Sequence, residues 1–459
     1  MKLTKKQINL EKGIEKEWII TNGIGGFASS TILNCNTRKY HGLLIAPLTP
    51  PARRFLILSK VDESLKIEGE EFPLYTNICT NYISDGYKYL ESFEKDYIPI
   101  FEYKVKDVII KKMICMQYGK NTVCILYKII NGKEPVTLTL APIINYRDFH
   151  QMSTNRIFDL KQESKGKKVK IILDNNGQTP IYIHSSEGKY IEHINDQFNN
   201  MYYIEEEKRG FCPEENHVVP GVYEINIKPG EEKEISFVCS LEENIEEISS
   251  REVINKEIIR INELMIDSGM IEIKKQQSKE EIEFVKDYIE ATDNFVVYRP
   301  NFKLHTLIAG YPWFLDWGRD ALISFEGLLL KTKRFQIARE VILTFVKNIK
   351  FGLVPNGYSG YDNRPLYNSA DASLLLFEQV YKYIKYTNDI RFVDTELYDI
   401  LKNIIYSYKS GIDLDDNNIY VDDDGLLVSG TEHTQNTWMD AKCGDFAVTP
   451  RNRKSSRNE

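Results

Sequence analysis

The sequence predicts a multidomain β + α protein, with an N-terminal antiparallel β-sandwich followed by a helical domain. The chain has 459 residues, and a single hydrophobic core stops growing near about 250–300 residues. Apolar and polar residues alternate with a period of two up to about residue 240, and apolar residues recur at helical spacing after that. We therefore predict a β-sandwich domain at 1–240, a helical linker at 241–277 and a helical domain at 278–459.

The predicted strands are runs of β-branched and aromatic residues in which every second side chain is apolar. Turn signals such as NNG (175–177) and PG (229–230) separate them. The clearest runs are FEYKVKDVIIKKMICM (101–116), TVCILYKII (122–130), VTLTL (136–140), VKIIL (169–173), IYIH (181–184) and VYEINIKPGEEKEISFV (222–238). Many short strands joined by turns favour an antiparallel sandwich.

The helical half begins with Ser278 followed three residues later by Glu281, the pattern of a capping box. Further helices are predicted at roughly 320–331, 334–350, 369–387 and 393–411. The connections near 332 and 390 are short, whereas those at 298–319, 351–368 and 412–437 are long and rich in Gly, Pro, Asn, Asp and aromatic residues. If consecutive helices run antiparallel, the three long loops lie at one end of the domain, where we expect a site.

Composition argues against several classes of partner. The formal net charge is −8, and dispersed Lys and Glu leave no broad basic face, so we expect no nucleic-acid partner. The N-terminus lacks an apolar signal segment, and no run approaches the ~18 apolar residues of a membrane span. We therefore expect a cytoplasmic protein with no membrane partner. Seven scattered cysteines without a C-x-x-C pair, and seven histidines without ligand spacing, favour reduced thiols over disulfides or zinc.

The segment GYPWFLDWGRD (310–320) places stacking rings, a forked donor and acceptors just before a predicted helix. Asp320 could be only an N-cap with Arg319 as its ion-pair partner. A cap does not require Trp313 and Trp317, however, so we predict a ligand site.

Two further loops carry candidate residues. In the segment 352–371, Asn356 and Asp371 could bond the hydroxyls of a polyol, although an ordinary turn with Asp371 in the first turn of a helix is an equal interpretation. In TWMDAKCGD (437–445), Trp438 stands beside Asp440. Hydrolysis of a glycosidic bond needs a carboxylic acid beside the leaving oxygen, so Asp440 is the candidate acid and Asp445 the second choice.

Three other signals are weak. GIGGFA (23–28) fits a dinucleotide-binding pattern, but no βαβ unit follows it. The acidic stretch 413–424 resembles a calcium loop, but Asn418 replaces the usual glycine, so a solvated turn is favoured. Cys443 has no nearby His and is read as a packed thiol.

Six segments together closely resemble the bacterial and archaeal glycogen debranching enzymes of the amylo-α-1,6-glucosidase type. They are, in chain order, EWIITNGIGGFASST (17–31), TRKYHGLLIA (37–46), GYPWFLDWGRD (310–320), LVPN (353–356), YNSADASL (367–374) and TWMDAK (437–442).

The resemblance implies a β-domain followed by a glucoamylase-like (α/α)6 toroid that releases glucose from the α-1,6 branch points of glycogen or a similar branched α-glucan, with inversion and without a metal or organic cofactor. Residues Trp317, Arg319 and Asp320 would hold the terminal glucose, and Asp440 would be the general acid. The TRKYHG stretch of the β-domain is also expected to reach the cleft, which makes Arg38 and His41 candidate substrate contacts.

The resemblance also raises an expectation about the C-terminus. About six of the toroid's twelve helices fit into 278–459, so the general base is expected to be missing and the chain to have little activity alone. One codon choice for RKSSRNE (453–459) reads Gly-Lys-Ala-Val-Glu-Met in the next frame, which resembles the family's continuation. We therefore hypothesise a frameshift after Asn452, which the gene sequence would test. Another specificity on the same toroid, for α-1,4-glucan or trehalose, and a non-catalytic glycan-binding protein remain alternatives.

Overall fold

The computed structural model describes residues 1–173, 179–194, 196–271, 278–360, 362–431 and 433–448. The chain forms two compact units, of which the first comprises Met1–Thr49 and Arg53–Ile261 and the second comprises 50–52 and the residues from 262 onward. The predicted turn at 175–177 and the hypothesised frameshift segment 453–459 lie outside the described residues. The prediction of a β domain followed by helices is confirmed.

The first unit contains two large antiparallel sheets. The first sheet has, in spatial order, the strands Lys2–Thr4, Leu90–Lys95, Pro99–Val105, Val108–Met116, Thr122–Ile130, Glu232–Ser240, Ile181–Ser185, Lys168–Leu173 and Leu160–Lys165. The second has, in order, Glu17–Thr21, Phe27–Thr31, Gly42–Thr49, Ala52–Ile67, Val136–Asp148, Glu214–Val218, Gln197–Tyr202, Ile78–Cys79 and Tyr82–Ile83. Glu70–Pro73 pairs with Ala52–Ile67, and Lys189–Glu192 pairs with Gly221–Ile227, which pairs with Val136–Asp148.

Alternation along the strands creates the core between these sheets. In Pro99–Val105 every second residue is buried, and Gly221–Ile227 repeats the pattern. Phe93 and Phe101 of the first sheet and Leu58 and Leu138 of the second belong to one cluster of fully buried side chains. The glycine-rich stretch 23–28 lies between two paired antiparallel strands, Glu17–Thr21 and Phe27–Thr31, and not in a βαβ unit.

Most of the helices follow the strands of the first unit along the chain. Short helices at Leu10–Gly13 and Ile204–Lys208 lie within the first unit, and Ser250–Asp267 spans the division between the units. The second unit contains Lys279–Asn294, Gly318–Phe325 with its π-helical continuation Glu326–Leu330, Phe335–Val346, Ala372–Thr387, and Ile390–Phe392 continuing through the π-turn Val393–Leu397 into Tyr398–Ser410. The capping box is present: the Glu281 amide donates to Ser278 Oγ (3.2 Å) and the Ser278 amide donates to Glu281 Oε2 (2.8 Å).

The apolar spacing predicted a wholly helical second half, and this prediction is wrong. The loops of the second unit contain two-stranded sheets: Val296–Arg299 with Leu304–Leu307, Gly357–Tyr358 with Pro365–Leu366, Tyr420–Val421 with Leu427–Val428, and Lys442–Cys443 with Phe446–Ala447. These pairs are too short to show a period in sequence. Leu322, Val341, Phe345, Leu376 and Ile404, from four successive helices, are buried in one core.

Candidate active site

Three loops of the second unit are joined by hydrogen bonds, and we call them the first (308–317), second (347–371) and third (411–448) loops. The Gly318 amide, just after the first loop, donates to Asn356 O of the second at 2.6 Å. The Ala370 amide of the second donates to Asn436 O of the third at 2.8 Å. Loops that are widely separated in sequence therefore form one surface.

Gly318 makes the closest of these approaches possible. A Cβ at this position would lie 2.2 Å from Pro355 O, a distance that no side chain tolerates. Trp317, one residue earlier, forms an isolated β-bridge with Gly357, whose own Cβ would meet the Trp317 indole at 3.4 Å. The Trp-Gly pair thus fixes the second loop against the start of the Gly318–Phe325 helix.

The two aspartates of GYPWFLDWGRD have different environments. Asp316 is fully buried and accepts from Arg299 Nε (2.7 Å) and Nη2 (2.8 Å). The Arg299 guanidinium also lies 4.4 Å from the centroid of the Tyr358 ring. Asp316 is therefore a structural anchor, whereas Asp320, in the first turn of the helix, lines the cavity described below and is partly open to solvent.

A cavity of about 470 Å³ opens where the first and third loops meet the helix that begins at Gly318. Its lining residues are Ala309, Phe314, Trp317, Arg319, Asp320, Trp438 and Asp440. The cavity thus brings together the WGRD and TWMD segments. The sequence did not predict Phe314 and Ala309 as lining residues. Trp313 was chosen instead of its neighbour Phe314, and Ala309 has no polar or aromatic group to mark it.

Arg319 is almost entirely buried beside the cavity, with 6% of its surface exposed. Its Nε donates to Asp371 Oδ2 at 2.6 Å. The other carboxylate oxygen of Asp371 accepts from Ser369 Oγ at 2.6 Å. Arg319 Nη2 is buried and has no hydrogen-bond partner among the described residues. One end of the guanidinium is held while the other retains a donor for a ligand.

The pKa of Asp320 is raised. Partial burial is the largest cause, and the negative charges of Asp440 and Asp371 add to it, while Arg319 opposes it. A carboxylate that burial and like charges disfavour gains from a ligand whose hydroxyls donate hydrogen bonds to it. A perturbed carboxylate beside a buried guanidinium in a cavity is a candidate functional pair.

The remaining predicted residues lie at varying distances from this chemistry. Trp313 is 42% exposed and does not line the cavity. Asn356 is fully buried, and neither atom of its side-chain amide has a partner in the described part of the chain. Asp371 contacts Arg319 rather than the cavity. Asp445 is exposed at the turn of the Lys442–Cys443 hairpin and does not line the cavity either.

Arg38 and His41 belong to the first unit. His41 is 1% exposed, its Nδ1 accepts from the Thr37 amide at 3.0 Å, and its Nε2 lies 3.4 Å from Glu17 Oε1. Arg38 Nε donates to the same Glu17 oxygen at 2.8 Å. Nδ1 is thus held by the backbone, whereas Nε2 is buried and makes no hydrogen bond among the described residues beyond this ion-pair contact with Glu17.

The weaker signals resolve into local structure. Within 413–424 the chain forms a turn and the start of a short hairpin, with Ile412 bridging Ile419. No group of three acidic, His or Cys side chains arranged for a metal ion occurs among the described residues. Cys443 is exposed rather than packed, contrary to the prediction, because it lies on a surface hairpin. Over the ranges that the structure describes, none of the helices combines the length and apolar character that a bilayer span requires.

Glycoside hydrolases typically use a pair of carboxyl groups. This cavity places the carboxyl groups of Asp320 and Asp440 beside two indole rings and a guanidinium. Residues 16–234 match the family model described as glycogen debranching enzyme N terminal, and residues 290–456 match that of amylo-α-1,6-glucosidase. The chain belongs to the glycogen debranching enzyme family.

Among curated relatives, the chain is 39% identical over 90 residues to a glycogen debranching enzyme of Saccharomyces cerevisiae, an alignment that covers 18% of this chain and 6% of that protein. A bacterial glucoamylase solved with acarbose is 12% identical, with a TM-score of 0.46, over 86% of this chain and 56% of that one. A GH92 α-mannosidase of Bacteroides thetaiotaomicron is 10% identical, with a TM-score of 0.35, over 93% of this chain and 64% of that one.

Proposed function

We propose that the cavity binds the terminal glucose of an α-1,6 branch in glycogen or a similar α-glucan, and that Asp440 is the general acid in its hydrolysis with inversion. The proposal rests on one observation above all: Trp317, Arg319 and Asp320 share a single cavity with Trp438 and Asp440. Its volume of about 470 Å³ lies within the range of small-molecule sites. Membership of a glucosidase family supports a glucan as the ligand.

Each lining group has a role that its chemistry suits. The indole faces of Trp317 and Trp438 supply flat amphipathic surfaces for a sugar ring. Arg319 Nη2 donates to a hydroxyl and the Asp320 carboxylate accepts from one. Asp371 is assigned a positioning role, because it holds Arg319 Nε and does not line the cavity.

Asp440 lies next to Trp438 in sequence, and both line the cavity. In the proposed step its carboxyl proton passes to the O6 leaving oxygen while water attacks the opposite face of the sugar. The carboxylate that activates this water stands ~6.5–9.5 Å from the acid in inverting enzymes, and we assign no residue to it. Proton transfer and hydrolysis by carboxyl groups need neither a metal nor an organic cofactor. An (α/α)6 toroid is the arrangement proposed for the helices.

The decisive experiment compares Asp440→Asn with Asp445→Asn in the purified chain. Binding of a branched limit dextrin is measured by calorimetry, and glucose release by an enzymatic assay over a long incubation. Loss of a general acid typically costs about 10²–10⁴ in rate, so Asp440→Asn should reduce the parent's residual glucose release at least ~100-fold while leaving affinity within about threefold. Asp445→Asn should match the parent in both measurements.

Glucose release by Asp440→Asn at the parent's rate would contradict the assigned role. Robust release by the parent would support the activity and contradict the expectation that this chain is impaired. Preferential release from linear α-1,4-glucan or trehalose would transfer the proposal to those substrates, and binding without turnover would favour a glycan-binding protein.

A further inference from the structure

A second groove lies in the helical unit, away from the cavity and sharing none of its lining residues. Its volume is about 460 Å³. One wall is Phe351, the other is the C-terminal half of the Tyr398–Ser410 helix, and the floor is the start of the third loop.

Phe351 occupies an unfavourable backbone position. The Leu353 amide donates to Lys350 O at 2.9 Å and the Lys350 amide donates to Leu353 O at 3.1 Å, which closes a tight turn. The two central residues, Phe351 and Gly352, have φ of +50° and +81°. Positive φ at both positions defines a type I′ turn, for which Asn-Gly is the favoured pair. A bulky aromatic residue in this conformation is a genuine outlier.

The turn is fixed against the neighbouring helix. A Cβ at Gly352 would lie 2.5 Å from Ser407 Cβ, so only glycine fits there. This close approach holds Phe351 beside the exposed face of the helix. Phe351 gains little packing in return for its strained backbone, because its surface is 67% exposed. Strain without packing at a surface position points to a function.

The rest of the groove is suited to a neutral polyhydroxyl ligand. Tyr406, on the helix wall, is 57% exposed. The side chains of Asn403, Ser410 and Asp413 also line the groove, and like the Tyr406 hydroxyl they make no hydrogen bond within the ranges that the structure describes. The groove thus combines two exposed rings with four unused hydrogen-bonding groups.

A phosphate or other anion fits the groove poorly. Asp413 is the ionisable acid among the lining residues, and Lys350 and Lys402 are not part of the lining. Their ammonium groups lie beside the outer rings, 5.7 Å from the Phe351 centroid and 6.0 Å from the Tyr406 centroid.

We propose that this groove is a second glucan-binding site, which holds a linear α-1,4-linked segment of the polymer between Phe351 and Tyr406. The choice of α-glucan over another neutral glycan rests on the proposed function. The groove and the cavity both include residues of the third loop, so a polymer held in the groove raises the effective concentration of its chain ends at the cavity.

The test uses a linear probe and a chain whose cavity is disabled. Maltoheptaose is titrated calorimetrically into Trp317→Ala, and into Trp317→Ala combined with Phe351→Asn, with Tyr406→Ala or with Tyr381→Ala. Phe351→Asn creates the Asn-Gly pair that a type I′ turn favours. The thermal unfolding midpoint of the Trp317→Ala, Phe351→Asn double variant should therefore equal or exceed that of Trp317→Ala. Tyr381 is the matched control: it is 59% exposed on the Ala372–Thr387 helix and has Lys385 Nζ 5.2 Å from its ring.

We expect Trp317→Ala to bind maltoheptaose, the added Phe351→Asn or Tyr406→Ala to weaken this binding at least about tenfold, and Tyr381→Ala to leave it unchanged. The proposal is overturned if Trp317→Ala binds no maltoheptaose or if both groove variants keep affinity within about twofold. Failure of the proposed function gives a different result, because absent glucose release from limit dextrin leaves groove binding in the Trp317→Ala background intact.

Discussion

Each unit contains an arginine that is almost fully buried, but the two differ in how many of their guanidinium donors make hydrogen bonds. Arg147, in the β unit, is 3% exposed, and Arg319, in the helical unit, is 6% exposed. Arg147 donates to Glu215 from Nε (2.5 Å) and Nη2 (2.9 Å), to Lys39 O from Nη2 (2.8 Å), and to two further carbonyls from Nη1. Arg319 makes one such bond, to Asp371, and its buried Nη2 has no partner among the described residues.

We interpret Arg147 as a charge that holds the fold, and we propose that the unused donor of Arg319 serves a ligand. A buried guanidinium costs free energy unless its donors are satisfied. In the β unit the protein itself supplies every partner around Arg147, including Glu215, which also accepts from Tyr203 and Ser153. In the helical unit the unused donor lies beside a cavity with two carboxylates. A bound ligand that accepts from this donor would offset the cost of leaving it unpaired.

The largest effect on stability is expected from Glu215→Gln. It removes the charge that Arg147 requires, and loss of one member of a buried ion pair costs about 3–5 kcal/mol. Denaturant unfolding of the chain measures the loss in free energy of unfolding. Glu68→Gln is the control: it neutralises one partner of the exposed Glu68–Lys106 pair (3.2 Å) and should cost less than about 1 kcal/mol. Equal losses from both variants would contradict the structural role of the buried pair.

Glu215 also gives the pH dependence of the β unit. Burial tends to raise the pKa of Glu215, but Arg147 and the surrounding hydrogen bonds hold it below its ordinary value. A lowered folded-state pKa stabilises the fold above the unfolded-state pKa, and that stability is lost as pH falls through the folded-state pKa. The difference in unfolding free energy between the parent and Glu215→Gln should therefore shrink as the pH is lowered.

An intermediate effect is expected from Asp371→Asn. Arg319 Nε loses its charged acceptor, which costs about 1–3 kcal/mol and frees the guanidinium to turn away from the cavity. Affinity for a branched limit dextrin should fall about tenfold or more, and Asp371→Glu should recover part of it.

Ser369→Ala is the control, because it removes the hydroxyl that bonds Asp371 Oδ1 and the Ala372 amide but leaves the charge of Asp371. It should lower stability by about 1 kcal/mol with affinity within about threefold. Equal losses of affinity in Asp371→Asn and Ser369→Ala would indicate that Asp371 has a structural role alone.

The smallest effect on stability is expected from Asp320→Asn, and it has the opposite sign. A raised folded-state pKa means that the folded chain binds the proton more tightly than the unfolded chain, so ionisation of Asp320 destabilises the fold as pH rises. Removing the charge should stabilise the chain at neutral pH, by less than about 1 kcal/mol because solvent screens the exposed carboxylate.

Asp320→Asn should at the same time weaken glucan binding, since the acceptor for a hydroxyl is lost. In the parent, affinity should begin to fall at a higher pH than the ordinary value of 3.8 for an aspartate would give. A variant with parental affinity, or with reduced stability, would show that Asp320 acts as a helix cap and not as a ligand group.

Local signals in the sequence predicted much of this arrangement. Period-two alternation indicated the strands, and the spacing of Ser278 and Glu281 predicted the cap that begins the Lys279–Asn294 helix. The long loops, in which Gly, Asn and aromatic residues are concentrated, indicated the part of the second unit that contains the cavity. Such signals depend on neighbours within a few residues, which is why they can be read without a structure.

Long-range pairing was not predictable in this way. Asp316 and Asp320 are alike in sequence, and only the position of Arg299, seventeen residues before Asp316, makes the first a buried anchor. Asp371 was a candidate ligand in sequence, but its partner Arg319 lies 52 residues away. The proximity of His41 to Glu17 likewise depends on tertiary structure, because the strands Glu17–Thr21 and Gly42–Thr49 lie on either side of Phe27–Thr31 in the second sheet. These roles follow from tertiary contacts that no local pattern records.

The most direct test of the central claim, that the cavity uniting WGRD with TWMD is the glucan site, compares two tryptophans of one segment. Trp317 lines the cavity, whereas Trp313, four residues earlier and 42% exposed, does not. The affinity of a branched limit dextrin is measured by calorimetry for the parent, Trp317→Ala and Trp313→Ala. We predict a loss of at least about tenfold for Trp317→Ala and a change within about twofold for Trp313→Ala. Equal losses in both variants, or no loss in Trp317→Ala, would contradict the account.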